Sequence, residues 1–145
     1  MNFSVSGLNQ NIDDDKLHEE CGIFGINCVQ DAANFVALGL HALQHRGQEA
    51  AGIVAFDGEH FRSHRVLGLV GDHFNSEDVI RRLPGGQAIG HVRYSTTGEP
   101  ALRNVQPLFA DFKFGGLSIA HNGNLTNAVR CRHELVQRGC LFQSS

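Results

Sequence analysis

A chain of 145 residues, 41% hydrophobic and 19% charged, has the composition of one globular domain, which would bury about 68–70% of its unfolded surface; two domains would be crowded. A formal charge of -3 gives no global attraction to nucleic acid or to an anionic membrane, and no apolar run of about 20 residues offers a membrane span. Residues 1–20 carry five acids against one base, a balance of -4 that leaves +1 for everything from Cys21 onward.

That acidic tail lacks a basic segment followed by an apolar one, so it is not a secretory signal, and a cytoplasmic protein is expected. With few large apolar groups and no sustained period, it reads as a disordered or removable extension. The polar run of "KLHEECGIFGI" stops at Cys21, and Cys21 to Cys28 predicts a short buried strand. Asp31 is placed to cap a helix with Ala33, Val36, Leu40 and Leu43 on one face and Gly47 as its stop. Ala51 to Phe56 predicts a strand, and Asp57-Gly58 a two-residue hairpin into a strand around Phe61. A short helix over 77–83 ends at Pro84-Gly85-Gly86, before a strand from Ala88 to Tyr94 and a long loop. Phe112 to Phe114 and Leu117 to His121 predict a strand pair turning at Gly115-Gly116, and Asn124 or Thr126 can cap a helix running to Gly139. "CLFQSS" ends the chain where another strand would begin, so a fragment is expected.

The cysteines Cys21, Cys28, Cys131 and Cys140, spaced 7, 103 and 9 apart, form neither a CxxC metal pair nor a dense disulfide framework, and reduced thiols are expected. His41 and His45 have a zinc-compatible spacing on one helix but no third ligand at suggestive spacing. No GxxxxGK[ST] or GxGxxG phosphate loop occurs.

Cys21 has two readings. It is either a small apolar residue opening a buried strand, or the residue exposed when the Glu20–Cys21 bond is cut. In the second case its α-amine, titrating near roughly 7.7–8.0, could take the proton of a thiol that titrates near about 8.5 and later return it to a leaving amine. In "AHNGNL", Asn122 and Gly123 are either an Asn-Gly turn or a pair of oxyanion donors, one from a side-chain amide and one from a backbone N–H. Arg93 in "GHVRYSTTG" either pairs with one of the ten acids beyond the tail or clamps a ligand carboxylate beside Thr96, Thr97 and Gly98. Arg46, in "LQHRGQEAAGI", is a solvated residue at a helix end or a support to a site.

"CGIFGI", "LQHRGQEAAGI", "GHVRYSTTG" and "AHNGNLTNA", in this order from Cys21 to about Gly139, together resemble the glutaminase domain of the amidophosphoribosyltransferase family. Aminosugar synthases, asparagine synthetases and glutamate synthases share the CGI-type start and a similar Asn-Gly site, but the second and third stretches look more like the purine enzyme. The acidic run ending in Glu-Glu-Cys resembles the propeptide of one branch of that family.

The resemblance implies an α+β fold of the N-terminal nucleophile (Ntn) hydrolase type, an αββα sandwich of two antiparallel sheets between helical layers, incomplete at its C-terminus. Residues 1–20 would be the propeptide and 21–145 a partial class II glutamine amidotransferase domain, with the phosphoribosyltransferase domain absent. Cys21 would be nucleophile and base, Asn122 and Gly123 the oxyanion hole, and Arg93 with the Thr96, Thr97 and Gly98 loop the glutamine site; Arg46 would support them. L-glutamine would be hydrolysed, and in a complete, homo-oligomeric enzyme the ammonia would convert phosphoribosyl pyrophosphate to 5-phosphoribosylamine. Such an enzyme uses magnesium and, in the propeptide-bearing branch, carries a 4Fe-4S cluster; neither is expected in this chain, and Cys28, Cys131 and Cys140 are not expected as cluster ligands. The relatives' aspartate for the substrate α-amino group would lie beyond Ser145. Two alternatives stand beside this reading: a catalytically inactive truncated fragment or binding module, and the glutaminase domain of another class II enzyme such as an aminosugar synthase.

Overall fold

The computed structural model describes residues 21–94, 101–123 and 125–142, so the acidic extension 1–20 lies outside the described residues. Apolar and glycine-rich runs supply the strands. β1 is Gly22–Asn27, β2 Ala50–Phe56, β3 Phe61–Leu67 and β4 Gln87–Arg93, joined in one antiparallel sheet of order β1-β4-β2-β3. A hairpin of β5 (Leu108–Phe112) and β6 (Gly115–Ile119) forms a second, two-stranded sheet. The helices are α1 (Ala32–Ala42), α2 (Val70–His73), α3 (Glu77–Arg81) and α4 (Ala128–Gln137), with short 3₁₀ turns at Gln44–Arg46 and Leu102–Asn104.

Strand alternation sorts the four-stranded sheet into two faces. On one, Ala51, Ile53, Ala55, Ala88 and Val92 meet Ala33, Val36, Ala37 and Leu40 of α1 in a single core. Fully burying a side chain such as Val36 or Leu40 stabilises by roughly 1.5–3 kcal/mol relative to leaving it exposed. Small residues on β4 let α1 come close to the sheet. The other face carries His91, Arg93, Gly52 and Arg65, and it is partly covered by the segment 102–107 and by the β5–β6 hairpin. The hairpin reaches the sheet through Phe61 and Phe109, whose ring centroids stand 5.0 Å apart.

Several local expectations change. Asp57-Gly58 is part of a four-residue connection, because Phe56 pairs with Phe61 and Asp57 Oδ1 accepts from the N–H groups of Glu59 (2.9 Å) and His60 (2.7 Å). Gly115 and Gly116 belong to β6 and the turn falls on Lys113-Phe114, since a Cβ at Gly116 would lie 2.7 Å from the Phe61 ring. Asp31 precedes α1 in a left-handed conformation with no side-chain cap, and Leu43 and a 3₁₀ turn intervene before Gly47. α4 starts at Ala128, with no side-chain cap from Asn127, and buries no residue. Cys140–Phe142 joins no strand, and Phe142 lies under the Arg132 guanidinium at 4.3 Å. No helix among the described residues is long and apolar enough to cross a membrane.

Candidate active site

Cys21, Arg46 and Arg93 gather around the C-terminal half of β4. Antiparallel pairing of Gly22 with Val92 brings Cys21, just ahead of β1, to the end of β4, where its Sγ–H donates to the Tyr94 carbonyl at 3.7 Å. Cys21 is partly buried and holds a left-handed backbone, φ 58°, a conformation that costs a non-glycine residue about 1–3 kcal/mol and persists where its surroundings fix it. One such fixing contact is a hydrogen bond from Arg46 Nε to the Cys21 carbonyl, 2.8 Å long.

Arg46 is carried there by the 3₁₀ turn after α1, and Gly47 lets that turn press against β4. A Cβ at Gly47 would stand 2.7 Å from the backbone N of Arg93 and the carbonyl carbon of Val92. Gln44 ties the same turn down, accepting from the Val70 N–H at 2.6 Å and donating to the Gly47 carbonyl. Arg93 closes β4, and its Nη1 donates to the Asn104 carbonyl at 3.0 Å. A guanidinium has five N–H donors in a planar fork, so this contact orients the side chain while leaving donors for a carboxylate. Thr96, Thr97 and Gly98 lie outside the described residues.

Asn122 and Gly123 follow β6 in an exposed turn. The Gly123 N–H donates to His121 Nδ1 at 3.2 Å, and the His121 N–H donates to Gln106 Oε1 at 2.7 Å. Beneath the turn lies His91, 0% exposed, with neither ring nitrogen in a hydrogen bond of ordinary geometry. Burial pushes its imidazole down to about 4, with the charges of His121 and Arg93 acting in the same sense, while the His121 backbone and the Asn122 side chain partly oppose the shift. His91 is thus neutral at pH 7, and it lies between the turn and the strand that carries Arg93.

Cys21, Arg46 and Arg93 therefore share the end of β4, and Asn122 adjoins His91 two residues away. His91, His121, Asn104 and Gln106 were not singled out by sequence. His91 had the clearest signal, a histidine inside the apolar strand "AIGHVRY". A groove of about 470 Å³ between β6 and the first sheet lies toward the other end of β1 and β4, lined by Gly25, Ile89 and Leu117 and by none of the candidate residues. Among the described residues no three His, Cys, Asp or Glu side chains gather as a metal site.

A cysteine ahead of the first strand, an antiparallel sheet with α1 on one face and a second sheet on the other make an α+β fold, which likeness to solved structures identifies as the Ntn-hydrolase fold. Two solved structures share it, each at 45% identity: one described as the allosteric regulatory enzyme of purine biosynthesis (TM-score 0.79, 84% of this chain and 26% of that one), the other as glutamine phosphoribosylpyrophosphate amidotransferase from B. subtilis complexed with ADP and GMP (TM-score 0.75, 85% and 26%). Among curated proteins, an amidophosphoribosyltransferase of Rhizobium etli is 60% identical over 134 residues, 92% of this chain and 27% of the relative. Another, of Lacticaseibacillus casei, is 49% identical over 129 residues, 89% of this chain and 66% of the relative. No family model matches. The chain belongs to the amidophosphoribosyltransferase family. It spans about a quarter of the length of the first of these curated relatives.

Proposed function

We propose that the chain supplies the glutaminase half-reaction of an amidophosphoribosyltransferase. The observation that carries this reading is the placement of Cys21 at the end of β4, its carbonyl held by Arg46 and its thiol beside the strand that ends in Arg93. Cleavage of the Glu20–Cys21 bond turns the Cys21 nitrogen from an amide into an amine that can accept the thiol proton. The thiolate attacks the side-chain amide carbon of glutamine, forming a C–S bond as the carbonyl π pair moves onto oxygen. Asn122 and Gly123 donate to that oxyanion, Gly123 exchanging the His121 ring for it. The intermediate collapses, and the departing nitrogen takes the proton held by the Cys21 amine and leaves as ammonia. Water then cleaves the thioester to glutamate. Arg93, with Thr96, Thr97 and Gly98, binds the glutamine α-carboxylate.

In the whole protein the ammonia displaces pyrophosphate from phosphoribosyl pyrophosphate, giving 5-phosphoribosylamine for purine synthesis. That step, magnesium, any iron–sulfur cluster and homo-oligomer contacts are assigned to portions of the longer relatives outside this chain, and the protein is cytoplasmic. In the full-length protein beginning at Cys21, glutamine-dependent product formation is abolished by Cys21→Ala while ammonia-dependent formation survives; equal loss of both refutes a separate glutaminase role.

A binding module without catalysis is the second reading, favoured by α4, which buries no residue and leaves Val129 85% exposed. Glutamine hydrolysis by monomeric protein comprising residues 21–145 alone excludes it.

A further inference from the structure

After β4 the chain returns to the sheet as the segment 102–107, which touches several parts of the candidate site. The Asn104 carbonyl accepts from Arg93 at 3.0 Å and the Val105 carbonyl from Arg65 Nη1 at 3.3 Å, while Val105 and Pro107 are buried. Between these anchors the Gln106 carbonyl lies over Gly52, where a Cβ would come within 2.3 Å of that oxygen. Gly52 is the cross-strand neighbour of His91. The Gln106 side chain reaches the turn after β6, where Oε1 accepts from the His121 N–H at 2.7 Å.

This contact matters because β6 ends at Ile119, so no strand pairing fixes the peptide that precedes Asn122. An amide and a backbone N–H stabilise an oxyanion only when both are aimed before the charge develops. The buried His91 ring lies beneath the turn without an ordinary hydrogen bond to it, so the Gln106 acceptor is what holds its entry. We propose that Gln106 is a positioning residue for the oxyanion-forming turn, fixing the His121 peptide and through it the aim of Asn122 and Gly123, from a backbone seat on Gly52. The inference rests on the glutaminase reading.

The test uses the full-length protein beginning at Cys21, with Gln106→Met, which keeps the side-chain length and removes the acceptor, and Gln106→Glu, which keeps an acceptor. Loss of one neutral hydrogen bond predicts a fall in glutamine kcat of about three- to tenfold for the methionine variant, with KM little changed. The glutamate variant stays within about twofold of the parent on the same grounds. Amide exchange of ¹⁵N-labelled protein reads the contact itself: the His121 N–H loses protection and the Gly123 amide shifts in the methionine variant. If that variant does not fold, Gln106→Asn, which shortens the reach by one methylene, takes its place.

Unchanged kcat with unchanged protection overturns the proposal, and so does equal impairment of the methionine and glutamate variants. Should Cys21→Ala leave glutamine hydrolysis intact, the glutaminase reading fails instead. In that case loss of His121 protection still supports Gln106 as the holder of the turn, and retained protection overturns it.

Discussion

Arg46 Nε donates to the carbonyl of Cys21 across 25 residues of sequence, and the 2.8 Å contact fixes the peptide that a freed Cys21 would keep. A hydrogen bond from a charged donor contributes about 1.5–3 kcal/mol, and lysine cannot reproduce the planar guanidinium geometry. Arg46→Lys is therefore expected to lower glutamine kcat by roughly 10- to 150-fold, the same free energy expressed as a rate. Steady-state kinetics with glutamine and with ammonia check this: the ammonia rate stays at the parent value, and a parallel fall in both rates contradicts the positioning role.

Asn122 and His121 make opposite predictions within one turn. Asn122→Ala removes an oxyanion donor and is expected to reduce kcat by about 10²–10³-fold. His121→Ala removes the ring that now accepts the Gly123 N–H, so it frees a donor and leaves glutamine kcat at or above the parent value. Comparing the two variants under saturating glutamine decides the matter. A collapse of activity in His121→Ala would mean that the imidazole, rather than the Gly123 N–H, does the work.

β1 to β4 and α1 were legible because each announces itself locally, by apolar runs or by residues such as Val36 and Leu40 at helical spacing, whereas β5 lies at Leu108–Phe112 and not at Phe112 to Phe114. Cys21, Arg93, Asn122 and Gly123 stand out in the sequence by residue type and order, and the fold places Cys21 and Arg93 together at the end of β4. What sequence did not give was the support beneath them. Gln106 meets His121 across 15 residues, and Asn104 meets Arg93 across 11. Such contacts depend on where a return segment lands and leave no periodic trace. The misplaced turns have local causes of the same kind: an Asp57 side chain capping a longer loop, and a glycine kept in β6 because the Phe61 ring occupies the space of its side chain.

Gly52 provides a packing test of the same support. Gly52→Ala drives a Cβ to 2.3 Å from the Gln106 carbonyl, a backbone atom that moves only with the whole segment. Overpacking of this kind costs about 1–3 kcal/mol. The melting temperature is expected to fall by roughly 2–8 °C for each kcal/mol, depending on domain size. Gly86→Ala is the control, because its Cβ would meet only the Val29 carbonyl, at an ordinary 3.8 Å, and its backbone is not left-handed. Equal melting temperatures for the parent and Gly52→Ala would show that the segment yields freely.

His91 is expected to make stability fall on the acid side of neutrality. Its imidazole is held at about 4 in the fold against an ordinary value of 6.5. Above pH 6.5 both the folded and unfolded forms are neutral there, so the group adds no pH dependence. As pH falls from 6.5 toward 4, the unfolded chain takes the proton and the folded one does not. Stability is lost across that window, by roughly 3 kcal/mol at 1.36 kcal/mol per pH unit. His64, lowered by burial and by the charges of His73 and Arg82, acts in the same direction. Asp57, lowered by the His60 and Glu59 backbone N–H groups, adds a further loss as pH falls through its folded carboxylate range. His91→Gln, which cannot titrate, is expected to flatten the denaturation midpoint between pH 4 and 6.5 while leaving the slopes due to His64 and Asp57. Urea titrations of parent and variant at half-unit pH intervals measure the difference, and parallel curves through that window would show that His91 is protonated equally in both states.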